Sequence, residues 1–158
     1  VKKWFFIFAA FAVLSYVFLG GCYPDSKEDC IKIYNKEKDM FPVVAGIRDS
    51  LFKSYPQCGR FTFRDTKKLF NESCDSPKDV KYLPRELLHF THSKLLAGFM
   101  HDARLKYIYM EAHRIEYVFE GPEPFRLVQF DREDRKYRIY AIDSNIYLFA
   151  PGECWACH

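Results

Sequence analysis

Glycine is scarce, with 7 in 158 residues, and the one adjacent pair, Gly20-Gly21, closes an apolar run. That excludes the glycine-rich loops that cradle phosphates and dinucleotides. A basic excess is also missing. The formal charge is +3, and Lys2 and Lys3 lie in the first 21 residues, so beyond them 22 cations against 21 anions leave +1. Nucleic-acid binding leaves a basic footprint, so no nucleic-acid partner is expected. There is no nucleophile elbow of the Gly-x-Ser-x-Gly kind, no internal repeat, no low-complexity segment and, after residue 21, no long apolar run.

Aromatic residues are abundant. Of 16 Phe, 11 Tyr and 2 Trp, only seven fall in residues 1–21. The rest sit largely beside β-branched residues, a composition that fits a sheet. The remaining length suits one domain.

The N-terminal residues form a separate unit. Lys2 and Lys3 precede the apolar stretch Phe5–Phe18, and Leu19-Gly20-Gly21-Cys22 follows it. A positive start, an apolar middle and small residues at the end are the parts of a secretory signal peptide. With Cys in last place, the run resembles the lipobox of bacterial lipoproteins. The resemblance implies that residues 1–21 are removed and that Cys22 becomes the first mature residue, carrying diacylglycerol and an N-acyl chain such as palmitate. One lipid chain holds a protein only marginally, at about 0.8 kcal/mol per buried methylene, whereas several hold it firmly. It also implies an exported protein, lipid-anchored to the bacterial membrane and facing the periplasm. Tyr23 is not the Asp that favours inner-membrane retention in enterobacterial lipoproteins, so the outer membrane is favoured. Competing readings are an uncleaved anchor, for which the 18 residues Trp4–Gly21 are short, and plain secretion.

Export places the other cysteines, Cys30, Cys58, Cys74, Cys154 and Cys157, where disulfides persist. With Cys22 lipidated, five remain and one stays odd. The preferred pairs are Cys58–Cys74, closing a ~17-residue loop for about 3 kcal/mol in the chain-entropy model, and Cys154–Cys157. Cys30 is then left over. A free Cys22 would instead pair with Cys30 and make the set even.

The expected class is α+β, with N-terminal helices followed by a small antiparallel sheet of four to five hairpin-connected strands. Residues 22–40 read as a tether or short helix, in which Ser26 and Asp29 resemble a capping box, and 41–158 as a single domain. Val44, Ile47 and Leu51 repeat at helical spacing up to Tyr55-Pro56. Arg60–Arg64 alternates as a half-buried strand does. Lys67–Lys81 reads as a long loop, and Pro84 opens a helix to about Gly98. Beyond residue 104 the period is two: Leu105, Tyr107 and Tyr109 form one apolar stripe, and Ile115, Tyr117 and Phe119 another. Further strands are expected over Phe125–Phe130, Tyr137–Ile142 and Ile146–Ala150. A single helix over Asp102–Glu120 is the rival reading.

Candidate chemistry is sparse. The chain ends Cys154-Trp155-Ala156-Cys157-His158, the C-x-x-C-H pattern of c-type haem attachment. There the two thiols add to the haem vinyls and His158 would ligate the iron. A disulfide ring is the simpler alternative, so no cofactor is the first expectation and haem c the second. His89 and His92 share a helical face and could ligate a metal, although solvated histidines explain them as well. The mixed-sign runs Lys27–Asp39 and Asp131–Lys136 read as solvated faces. Size and address together favour a membrane-tethered, non-catalytic interaction module of inhibitor or immunity type, with a protein partner in the envelope. The alternative is a haem or redox protein built on the C-terminal motif.

Overall fold

A computed structural model describes residues 23–66, 69–75, 80–82 and 90–153, with backbone alone for 65, 66, 69–75, 80–82, 90 and 91. Helix α1 spans Lys27–Lys36. Its N-cap, Ser26, is extended; the Ser26 hydroxyl accepts from the Asp29 amide at 3.2 Å and donates to the Asp29 carboxylate at 2.9 Å. Glu28 and Asp29 in the first turn and Lys36 in the last complement the helix dipole. Helix α2, Met40–Ser54, buries Phe41, Val44, Ile47 and Leu51 along one stripe. Pro42 is tolerated because the first-turn amides have no helical partner to lose. Helix α3, Phe90–Asp102, contributes Leu96, Phe99 and Met100, and Arg104, at φ 53°, turns the chain out of it.

The strands are β1 Arg60–Thr66, β2 Leu69–Asp75, β3 Val80–Tyr82, β4 Leu105–Glu111, β5 Arg114–Phe119, β6 Arg126–Phe130, β7 Ala141–Asp143 and β8 Ile146–Phe149. They form one sheet in the order β3-β2-β1-β4-β5-β6-β8-β7, every neighbour antiparallel. Alternation along each strand and register across strands produce continuous rows. Phe63, Ile108, Tyr117, Leu127 and Leu148 pair in turn and are all buried on the helix side. Phe61, Met110, Ile115, Gln129 and Ile146 form the row below. These rows and the apolar stripes of all three helices make one core.

The opposite face is treated in two ways. Over β6 and β8 it carries Val128, Tyr147 and Phe149, roofed by Tyr137 from a 3-10 helix at Arg135–Tyr140. Over β1, β4 and β5 no such roof is found among the described residues.

The α+β class stands, but the finer expectations need correction. Among the described residues the sheet has eight strands rather than four to five, and α3 interrupts them, so helices do not simply precede strands. Residues 69–75 and 80–82 are β2 and β3, not loop: pairing of β2 with β1, and of β3 with β2, supplies the order that their polar composition does not announce. The expected strand over Tyr137–Ile142 is mostly the 3-10 helix, because Asp134 accepts from the Lys136 amide at 3.1 Å and starts a turn. The expected helix end at Gly98 moves to Asp102, and Pro84 lies outside the described residues. Cys30 and Tyr34 of α1 belong to the core.

Tyr23 and Pro24 are also docked. Pro24 is buried, and a Cβ built on Gly121 would stand 3.8 Å from Tyr23 Cβ. From that β5–β6 turn, α1 runs to the far end of the sheet, where the Tyr34 hydroxyl donates to Asp143 at 2.7 Å.

Candidate functional site

The unroofed face is built from the outward positions of β1, β4 and β5. Thr62 pairs with Tyr109 and Arg64 with Tyr107, while Arg60 reaches Glu111 through Nε at 3.1 Å and Nη2 at 2.8 Å. The rings of Tyr107 and Tyr109 stack at 5.5 Å with 16° between their planes. Cations lie over them. Arg60 is 5.6 Å from the Tyr109 centroid; Arg64 and Lys106 are 5.5 and 5.4 Å from that of Tyr107. At exposed sites each such contact contributes about 0.5–1 kcal/mol.

Charge on this face is unbalanced. Glu111 also accepts from Arg114 at 2.7 Å, and Glu116 pairs with Arg126 at 3.4 Å. The two carboxylates thus serve three arginines, and among the described residues neither Arg64 nor Lys106 has an acidic partner. Burial, then Tyr107 and Glu116, raise the pKa of Tyr109 above that of an ordinary phenol, so its hydroxyl stays a donor. The arrangement is an array of fixed hydrogen-bond donors, suited to recognition.

A second cluster lies where β5 begins and β6 ends. Buried Arg48 holds Asp131 and also donates to Asp49 at 2.7 Å; His113 Nδ1 lies 3.3 Å from Asp131. Beside it runs a groove of about 630 Å³ lined by His113, Phe130, Asp131, Arg132, Glu133 and Asp134. None of these lining side chains is a hydroxyl or thiol nucleophile. His113 is 90% exposed, so the pair lies in water.

The sequence-derived candidates are dispersed. Cys30 is a free thiol, which removes it from the disulfide candidates: it is fully buried on the inner side of α1. Its pKa is pushed up to about 12 by burial and, secondarily, by the Asp29 charge. Cys58 is disulfide-bonded. Cys74 lies on β2 opposite Phe61, with only its backbone described. Cys22, His89, Cys154, Cys157 and His158 lie outside the described residues. His92 is half-buried on α3, and no group of three or more His, Cys, Asp or Glu is placed to hold a metal among the described residues. No described helix is long and apolar enough to cross a membrane.

Sequence reasoning missed the donor array because it assigned β4 to the wrong stripe. Ile108 and Met110, not Tyr107 and Tyr109, enter the core, and an irregularity between Leu105 and Tyr107 lets Leu105 be buried as well. The usable signal was Arg60-Phe61-Thr62-Phe63-Arg64, whose polar positions all fall on the open face. No family model, no curated protein and no solved structure matches the chain.

Proposed function

We propose that this chain is a membrane-tethered lipoprotein of the bacterial envelope, acting as a non-catalytic protein-interaction module of inhibitor or immunity type. The observation that carries the interaction role is the open face of β1, β4 and β5, where tyrosine and arginine side chains are held in place by stacking and ion pairs. Tyr and Arg dominate the energetics of protein interfaces because they combine large area with directed hydrogen bonding. The tether rests on Leu19-Gly20-Gly21-Cys22. With lipid on Cys22, the docked Tyr23 and Pro24 leave almost no free chain between lipid and domain, since each extended residue spans only about 3.5 Å. The domain then sits directly on the membrane, with the Gly121 turn facing it.

The test is the intact mass of protein purified from membranes, before and after reduction and alkylation. A chain beginning at Cys22 with added acyl mass is expected. Porphyrin mass that survives denaturation would overturn the reading and make Cys154, Cys157 and His158 the functional centre.

A further inference from the structure

We propose that the open face of β1 and β4, centred on Arg64, Lys106, Tyr107 and Tyr109, docks a carboxylate-rich surface of a protein partner. The proposal deepens the interaction-module reading and rests on it for the existence of a partner; the lipid enters only where a protein is preferred over a bilayer.

Charge complementarity is the first reason. Arg64 and Lys106 have no carboxylate among the described residues, and both converge on one ring. Geometry is the second. The ring faces of Tyr107 and Tyr109 are occupied by each other and by cations, which leaves phenol hydroxyls, guanidinium N–H groups and an ammonium to meet a partner. Such a surface presents donors and asks for acceptors. It offers no free ring face on which a sugar could stack.

Order is the third. Arg60 is fixed by a double contact to Glu111, so less side-chain freedom is lost on binding. A lipid surface fits less well than a protein. Tyr23 lies beside the Gly121 turn, so with lipid on Cys22 the strands would run away from the membrane. Arg64 and Arg60, four residues apart along β1, differ in height by about 13 Å. A flat bilayer cannot cover a face that stands up from it; a protein can.

The experiment uses the lipidated protein in phosphatidylcholine nanodiscs, with its intact mass read first and fluorescein-labelled poly-glutamate as the probe. Saturable binding is expected, weakened roughly tenfold by Arg64→Glu with Lys106→Glu. The same charge change on the helix side, Lys53→Glu with Lys94→Glu, is expected to leave it within about twofold. Equal loss in both variants would mean net charge rather than this face, and would overturn the proposal. So would absence of saturable binding, or an Arg64-dependent preference for phosphatidylglycerol vesicles over poly-glutamate. Missing acyl mass defeats the tether and leaves the face standing. Acylated protein whose binding ignores Arg64 defeats the face alone.

Discussion

Inside the core, the Tyr117 hydroxyl donates to Gln129 Oε1 at 2.7 Å, with Tyr117 fully buried and Gln129 only 7% exposed. This pair allows a sharp test of how the sheet and helices are joined. Tyr117→Phe keeps the ring against Phe41, at 4.8 Å, and Phe99, at 6.1 Å. It removes the one donor described for that oxygen. A buried acceptor left unsatisfied costs about 1–3 kcal/mol. Gln129→Leu orphans the hydroxyl instead and costs a similar amount. The double variant should be less destabilised than either single one, because both polar groups are gone and the leucine replacing Gln129 would lie between Ile115 and Ile146 in the register. Urea unfolding under non-reducing conditions, followed by near-UV circular dichroism, measures all four corners of the cycle. In a parallel thermal melt each kcal/mol should appear as a Tm shift of about 3–5 °C for a chain of this size. Additive losses in the double variant would refute the reasoning, because they would assign the cost to shape rather than to the hydrogen bond.

Two further outcomes follow from the titratable groups. Asp143 is held at a pKa of about 2, first by the Tyr34 hydroxyl, then by the Ser144 amide and Lys38. Its carboxylate therefore stabilises the fold above the unfolded value near ~3.9, and that contribution is lost as pH falls through ~4 towards 2. Because a third of the side chain is exposed, solvent screening limits the contribution to about 1 kcal/mol. Tyr34→Phe removes the largest cause, so it should flatten the loss of stability between about pH 5 and pH 2; an unchanged acid limb counts against the Tyr34–Asp143 link. For Cys30, burial and a pKa near 12 predict no alkylation by iodoacetamide at neutral pH in the native protein, and full alkylation on unfolding without reductant. Peptide mapping that finds Cys30 modified in the native state would contradict its place in the core.

Local alternation carried the parts of the fold that were legible. Arg60–Arg64 reads as a strand because one of its faces is purely aromatic and the other purely polar, so a one-residue slip would invert both. In β4 the alternating residues are Tyr and Ile, and both faces look apolar; only pairing with Phe61 and Phe63 decides that Ile108 and Met110 go inside. Strands β2 and β3 are ordered by pairing rather than by pattern, so a polar run such as Asn71-Glu72-Ser73 gives no warning. The donor array is hidden for the same reason. Arg64 and Tyr107 meet only because β4 returns beside β1 after α3, a contact that composition and spacing do not encode.

The two halves of the outer sheet face bear on why that array exists. Over β6 and β8, Tyr137 stacks on Phe130 at 5.5 Å and meets Tyr147 and Phe149 edge-on, completing a small second core. Over β1 and β4 the tyrosines are screened, among the described residues, by arginine and lysine side chains, although fully burying a large apolar side chain stabilises a fold by roughly 1.5–3 kcal/mol. Extending the roof would have gained that stability. Leaving the rings half-covered, with two cations unanswered by any described carboxylate, forgoes it. Folding alone does not require such an arrangement, whereas a surface that must desolvate against a partner does. If the face were idle, replacing Tyr107 and Tyr109 by Thr would lose little beyond their cation and stacking contacts; if it docks, the same replacement removes binding while the helix-side core, which neither ring enters, stays intact.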